Sequence, residues 1–539
     1  MAVRDHVAIA GLGITPMGKV YGRTATGFAA DAIALALGDA GLTKSDVDGL
    51  LIHANTAPEM NPNLQMALGF EDLAVLNAMS AYGSTPATML QYAAATIEQG
   101  QANVIVLVYA DAPLRPALGA GASYTNQQRE RGMAGLPNAH GFYGANPGYA
   151  MAARRHMHLF GTTSEQFGII AVGQRQWAMM NERAQMRKPL TLEDHQNSRY
   201  IAEPLHLFDC CLVSNGAVAV VVTSPERARS LRRPPVYVLG VGQGAPGDSQ
   251  RTDRHPGIHT GAARSGRQAL ATAGVGLADI EVLELYDCYT YTVLVTLEDY
   301  GFCAKGEGGA FVEDGKLAPG GSLPTNTGGG QLSSFYMWGF HAVVGGHHPG
   351  AGRWRRPPGG PPRAGAGQRQ RRVPQLPLDD HLVALRPVTG PDPAVEGSPM
   401  EIPVAYDKPV PRPDEWSQPF FDATLRQELL LQRCAGCGTW MWPVRVRCIE
   451  CFGDDLHWTA ARGTGTIYSF ALVHQVFHPG FADEVPYNVA MIDLDEGVRC
   501  VASVVGVAND ALRIGTPVTV TFERISAELA LPRFRPVDG

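Results

Sequence analysis

Long apolar runs are absent from this sequence. Its most hydrophobic stretches are strand-sized, far short of the roughly 20 residues that cross a bilayer, so no membrane span is expected. Positive charge is not in excess either. Lys and Arg number 44 against 51 Asp and Glu, a net charge of −7, which leaves no basic footprint for nucleic acid. Cysteine is sparse: nine residues in 539, four of them clustered late in the chain. The others are scattered, which suits a reducing cytosol better than a disulfide framework. The opening Met-Ala-Val-Arg-Asp-His-Val-Ala-Ile-Ala-Gly reads as a short apolar strand and not as a secretory signal, so a cytoplasmic protein is expected. The composition, 45% hydrophobic and 18% charged, is that of an ordinary globular protein. Its length demands two or three domains.

What is present is a repeated α/β grammar. Residues 7–13 read as a buried strand ending in a glycine turn, 24–40 as a helix and 49–53 as a strand. Residues 77–100 give a turn and then a long helix of small residues, and 104–109 a solid apolar strand. The order returns with a strand at 236–242, a helix at 261–273, and a strand at 280–285 that feeds 286–292 and another helix. Strand, turn, helix, strand is the pattern of an α/β layer fold. Residues 110–235 lie between the two halves and read as an insertion. Within it, the adjacent Cys210 and Cys211 read as small buried thiols and not as a redox pair.

The pattern breaks after residue 340. Gly-Gly-His-His-Pro-Gly at 345–350 leads into a run dense in Pro, Gly and Arg through Arg372, with neither helical nor strand periodicity. Residues 345–414 are therefore set apart from a first domain, 1–344, as an anomalous segment and linker. Pro399, Pro403, Pro409, Pro411 and Pro413 make its last part extended. An amphipathic helix follows at 420–431 and runs into Cys434-Ala-Gly-Cys437. After ten intervening residues comes Cys448-Ile-Glu-Cys451. Four thiolates in two C-x2-C pairs close a tetrahedral zinc shell with no open position, so the metal's role is structural. Short glycine-separated strands at 463–474, 487–493, 498–505 and 516–522 have the grammar of a small β-barrel. Helix and ribbon occupy 415–452, and the barrel 453–539.

Residues 326–339 read Asn-Thr-Gly-Gly-Gly-Gln-Leu-Ser-Ser-Phe-Tyr-Met-Trp-Gly. This resembles the Asn-x-x-Gly-Gly loop of the thiolase superfamily. Asn326, Gly329, Gly330, Ser333 and Gly339 align with that loop and place Tyr336 where its active-site histidine stands. The phrases at 148–155, 160–168 and 209–217 are similar to the sterol-carrier-protein-type subfamily, whose insertion covers the active site. In that subfamily a nucleophilic cysteine opens the long helix, and Met79-Ser80-Ala81-Tyr82-Gly83-Ser84 aligns Ser80 with it. Glu284-Leu285-Tyr286-Asp287-Cys288-Tyr289 stands where the subfamily has His-Asp-Cys-Phe, so a second polar corner is also a phenol. Tyr286-Asp287-Cys288-Tyr289, Gly301-Phe302-Cys303, Gly306-Glu307-Gly308 and 323–327 resemble the lipid-transfer-protein-type aldolases of steroid degradation. Residues 415–535 resemble the acyl-CoA-associated zinc-ribbon/OB-fold family, DUF35.

The resemblance implies duplicated thiolase-like α/β layers followed by a zinc ribbon and an OB-fold barrel. It implies retro-aldol cleavage of a β-hydroxyacyl-CoA whose hydroxyl sits on a steroid D-ring, giving a 17-ketosteroid and propionyl-CoA. Tyr286 and Tyr336 would be the catalytic phenols. Ser80, Asn326, Gly328, Gly329 and Gly330 would contact the substrate, with backbone amides of 328–330 holding the thioester oxygen. A phenol, with a reference pKa of about 10, is a better match to an alcohol's proton than imidazole is. No covalent intermediate is needed, which fits the lost cysteine. A homodimer through the thiolase-like domain and a complex with other side-chain β-oxidation enzymes, such as a hydratase, are further implications. Two other readings are an acyltransferase or thiolase using Cys288 or Cys303, and a non-catalytic acyl-CoA or lipid-binding protein.

A thiolase-like domain would complete its second sheet, with a helix and two closing strands, in the stretch that is here dense in Pro, Gly and Arg. This window resembles a GC-rich gene translated in a shifted frame, with the frame restored near 385–390. Resequencing the gene and translating the window in its other frames is expected to recover the missing elements. A confirmed reading frame with none of them elsewhere would identify the segment as a true linker.

Overall fold

The computed structural model describes residues 7–116, 131–247, 250–344 and 406–537. The frame-shift reading at 345–390 lies outside the described residues. In the first domain, the strands are β1 (Val7–Ile14), β2 (Gly49–His53), β3 (Val75–Met79), β4 (Val104–Asp111), β5 (Tyr200–Glu203), β6 (Leu205–His206), β7 (Gly216–Thr223) and β8 (Val236–Val238). Six form one sheet in the order β3-β2-β4-β7-β1-β8. β2 runs parallel to β3 and β4, while β7 lies antiparallel between β4 and β1. Every residue of β4 and β7 is buried, because helices cover both faces. Helix Ala25–Ala40 packs Phe28 and Ala32 against Val106 and Val108 on one face. Helix Thr85–Glu98 packs Met89 and Ala93 against Leu107 and Tyr109 on the other. Strands buried on both faces read as unbroken apolar runs, which is why 104–109 is plain in the sequence.

Four expectations are corrected here. Residues 75–79 are a strand, in place of the turn expected from Asn77. The insertion does not reach residue 235, since Gly216–Thr223 is an inner strand of the core sheet. Residues 280–285 do not form a strand; only Leu283 pairs, in a single parallel bridge with Thr325. A strand is held by a partner along its length, and among the described residues this segment makes one ladder bridge. The helix expected at 420–431 is Gln418–Leu425, because Gln427 adopts a left-handed φ of 62° and the chain turns into a strand at Leu430.

That strand, β9 (Leu430–Cys434), joins β10 (Trp440–Met441) and β11 (Leu456–Ala460) in a three-stranded ribbon. The remaining strands are β12 (Thr464–Val473), β13 (Tyr487–Leu494), β14 (Arg499–Ala502), β15 (Pro517–Arg524) and β16 (Ala530–Pro536). Their order is β14-β13-β12-β15-β16. The expected closed barrel is instead a curled sheet whose edges meet at one parallel bridge, Val504 to Phe534. The last strand escaped the sequence reading because its prolines and arginines, Ala-Leu-Pro-Arg-Phe-Arg-Pro, mask the alternation.

The two parts share one sheet and one core. β5 of the first domain adds to the end of β12, with Glu203 opposite Leu472 and Ala202 opposite Val473. Phe142, Tyr143 and Leu205 pack in the same cluster as Tyr468, Val473, Phe481 and Tyr487. Ser469 donates to the Met151 carbonyl at 2.6 Å and Tyr487 to that of Gly141 at 2.9 Å. The guanidinium of Arg499 lies 3.6 Å over the Tyr468 ring, and that of Arg155 lies 4.5 Å from it.

In the ribbon, the sulfurs of Cys434, Cys437, Cys448 and Cys451 all lie within 4.8 Å of one another. The pairs Cys434–Cys451 and Cys437–Cys448 are 3.6 and 3.5 Å apart. A tetrahedral zinc with Zn–S bonds of about 2.3 Å needs sulfur edges of about 3.8 Å, so the four cysteines are positioned to hold the ion. Zinc would tie β9 to the knuckle at 448–451, beneath the packing of Phe420 on Trp442. Purified protein is expected to carry one zinc per chain by elemental analysis. Cys434→Ser or Cys448→Ser should release it and lower the melting temperature. Full zinc content or unchanged melting in these variants would refute the assignment.

Candidate active site

Tyr286 and Tyr336 come together. Their hydroxyls are 3.5 Å apart, and the side chains are only 9% and 8% exposed. Tyr286 lies on the extended segment that follows the Leu283–Thr325 bridge. Tyr336 follows a wide helical turn, Gly330–Ser334, and its amide donates to Ser214 Oγ at 3.0 Å. Space for the Tyr286 ring comes from Gly83, in the turn before helix Thr85–Glu98. A Cβ at residue 83 would sit 2.4 Å from the ring's Cζ.

The loop holding Tyr336 is strapped to the segment holding Tyr286. Asn326 Oδ1 accepts from the Leu285 amide at 2.7 Å, and the Asn326 amide donates to Leu283 O at 2.8 Å. Glu284 accepts from the Thr327 amide and hydroxyl at 3.0 and 2.6 Å. Asp287 is fully buried and accepts from the amides of Gln331 and Leu332, capping the wide turn. His341 Nε2 lies 3.3 Å from its carboxylate. Gly330 has a left-handed φ of 58°, and a Cβ there would fall 2.0 Å from Asp287 Oδ2. Gly329 donates to Asn326 O at 2.7 Å, and Gly328 O accepts from Asn181 at 2.9 Å. Asn326, Gly328, Gly329 and Gly330 thus shape the loop. Burial pushes Asp287 up from the usual carboxylate range, opposed by His341 and the turn amides. Burial likewise lifts Glu284 to about 7.

Ser80 is exposed, at the end of β3, and its hydroxyl accepts from Asn55 at 2.8 Å. The cysteines of the site are all free thiols. Cys210 bridges Tyr289, and the Cys211 amide donates to Cys288 O at 3.0 Å. Burial pushes Cys288 and Cys303 up to about 12, and Cys210 and Cys211 well above their ordinary value. A thiol held protonated is a poor nucleophile. Sequence reasoning missed Gly83, Ser214, Glu284 and His341, because each acts across a tertiary contact that no local pattern marks.

Residues 245–344 match the family model of the thiolase C-terminal domain-like proteins. Residues 421–457 match the ChsH2 rubredoxin-like zinc ribbon domain, and 458–523 the ChsH2 C-terminal OB-fold domain. The chain is 38% identical over 356 residues to the 17-hydroxy-3-oxo-4-pregnene-20-carboxyl-CoA lyase of Mycobacterium tuberculosis, covering 63% of this chain and 90% of that one. It is 39% identical over 347 residues to the steroid side-chain-cleaving aldolase of Thermomonospora curvata, covering 62% of this chain and 88% of that one. A probable enoyl-CoA hydratase alpha subunit of T. curvata shares 41% identity over 117 residues, 22% of this chain and 36% of that one. Among solved structures, an Ltp2-ChsH2(DUF35) aldolase matches with a TM-score of 0.55 at 38% identity, over 62% of this chain and 87% of that one. No helix among the described residues is long and apolar enough to cross a membrane. The chain therefore belongs to the thiolase-like family of steroid side-chain-cleaving aldolases, with a zinc ribbon and OB-fold of the ChsH2 type on the same polypeptide.

Proposed function

We propose that this protein is a carbon–carbon lyase that cleaves a 17-hydroxy steroid C22-CoA into a 17-ketosteroid and propionyl-CoA. The observation that carries the reading is the buried phenol pair, 3.5 Å apart, in a site whose cysteines stay protonated. In the reaction the β-hydroxyl loses its proton and its oxygen becomes the ketone. The bond between the β and α carbons breaks, and its electron pair forms the thioester enolate. A proton then adds to the α carbon. One tyrosine, as its phenolate, accepts the first proton and the other, as the neutral phenol, delivers the second; a proton crossing the 3.5 Å between the two oxygens then returns the pair to its starting state. The reaction needs no covalent acyl-enzyme, in keeping with an exposed serine in place of a nucleophilic cysteine. Amides near Gly328–Gly330 and the hydroxyl of Ser80 are proposed to contact the acyl-CoA.

The reading extends to assembly. A homodimer would form through the thiolase-like domain, where β3 is the outer strand of the sheet. The likeness of 117 residues of this chain to part of a probable enoyl-CoA hydratase subunit supports association with a hydratase that makes the β-hydroxyl. A reducing cytoplasm suits nine cysteines none of which is in a disulfide.

Tyr286→Phe and Tyr336→Phe are each expected to lower propionyl-CoA release by about 100-fold or more, while Ser80→Ala has a mild effect. Equal damage from Ser80→Ala, or an acyl-enzyme trapped with labelled acetyl-CoA, would replace the non-covalent scheme with acyl transfer. Gly83→Ala should displace the Tyr286 ring and reduce kcat sharply in a folded protein. Unaltered kcat would show that the ring position does not matter.

A further inference from the structure

One aromatic ring at the joint between the domains gathers several hydrogen-bond donors. The guanidinium carbons of Arg155 and Arg499 lie 4.5 and 3.6 Å from the centre of the Tyr468 ring, and the His255 imidazole is stacked 6.2 Å from it. Arg155 comes from helix Asn146–Phe160 and His255 from the stretch before helix Ala262–Ala273, while Tyr468 and Arg499 belong to β12 and β14. Two cations beside one ring repel each other unless anions answer them. Arg499 has its counter-ion, because it donates to both oxygens of Asp493, at 2.6 and 3.1 Å. Arg155 has no carboxylate partner among the described residues. Its Nη1 donates to the Tyr468 carbonyl at 3.3 Å, and its buried Nε–H meets no acceptor. The Tyr468 hydroxyl is likewise buried without a partner, on a side chain only 5% exposed. His255 is exposed, opens the cluster to solvent, and offers an N–H in either tautomer.

Resting on the acyl-CoA lyase reading above, we propose that Arg155, Tyr468 and His255 form a subsite for a phosphate of the substrate's coenzyme A, with Arg155 the main contact. A buried donor without an acceptor is costly, and two of them stand here beside a guanidinium whose charge nothing balances. A phosphate repairs both faults at once. It accepts several charge-assisted bonds, and the guanidinium fork matches its oxygens. The position suits the substrate. Tyr149, on the same helix as Arg155, stacks on Tyr289 with ring centres 4.2 Å apart, three residues beyond Tyr286. Six residues of helix separate Tyr149 from Arg155, a rise of about 9 Å, a length the pantetheine arm of coenzyme A can span. The subsite takes residues from both domains, so the OB-fold contributes to holding the substrate as well as to packing. It lies away from the reacting atoms, and its contribution is equal in ground state and transition state. Such binding lowers KM and leaves kcat alone.

The test compares 17-hydroxy-3-oxo-4-pregnene-20-carboxyl-CoA with the pantetheine thioester of the same acid, which lacks the nucleotide and its phosphates. Arg155→Gln should raise KM for the CoA ester by about 10- to 100-fold with kcat nearly unchanged. For the pantetheine thioester, KM should be the same in wild type and variant. Arg155→Lys, which keeps the charge, should recover part of the loss. Arg155 also holds the Tyr468 backbone, so two milder variants accompany it: Tyr468→Phe and His255→Ala, which remove no hydrogen bond within the chain, should each raise KM for the CoA ester a few-fold. Binding is read without turnover by titrating coenzyme A calorimetrically, and Arg155→Gln should weaken it by the same factor as KM. A KM and Kd that do not move, or an equal rise for the pantetheine thioester, overturn the inference and leave the aldolase reading intact. A loss confined to inorganic phosphate or ADP, with coenzyme A bound as before, overturns it too. A wild-type protein that binds coenzyme A through Arg155 but releases no propionyl-CoA removes the aldolase reading alone.

Discussion

The carboxylate of Asp287 joins the two segments that carry the phenols. It follows Tyr286 directly and accepts from the amides of Gln331 and Leu332, which open the turn leading to Tyr336. Besides that bond, the segments 283–289 and 326–336 are joined by the Asn326 contacts, the Glu284–Thr327 bonds and the contact of the two phenols, next to the Leu283–Thr325 bridge. Burial costs the carboxylate, as its raised pKa shows, and the turn amides with His341 offset that cost. Removing any one of these partners leaves a buried charge under-satisfied, an expensive state. The site is therefore one strapped unit. Gly330 belongs to it because a side chain there would occupy the place of Asp287 Oδ2.

The second constraint is the joint between the domains. β5 completes the edge of the C-terminal sheet at β12, and helix Asn146–Phe160 faces both sides of the boundary. The N-terminal turn of that helix presents Tyr149 to Tyr289, while Met151 and Arg155 further along bind Ser469 and Tyr468. The OB-fold thus supports the helix that stacks Tyr149 on Tyr289, three residues beyond Tyr286. In the zinc ribbon, β9 pairs with β10 and β11, and Phe420 packs on the Trp442 and Trp458 side chains.

Much of this was legible in the sequence, for physical reasons that differ from part to part. β4 shows itself because a doubly covered strand must be apolar throughout. The metal cysteines show themselves because tetrahedral coordination fixes their spacing. The phenol pair was found by aligning two loops separately, and the structure places the two hydroxyls side by side. What stayed hidden depends on distant partners. β5 is four residues long, and its partner β12 lies more than 260 residues later. Gly83 looks like any turn glycine until the Tyr286 ring is seen against it. Residues 280–285 have the composition of a strand, yet only Leu283 among them makes a ladder contact.

The claim that the scaffold breaks a carbon–carbon bond by moving protons between phenols can be read from the product itself. Cleavage run in deuterium oxide should yield propionyl-CoA bearing one deuterium on its α carbon, alongside a 17-ketosteroid, with no thioester left on the protein. Propionyl-CoA without solvent deuterium, or a protein-bound acyl group formed during turnover, would contradict it.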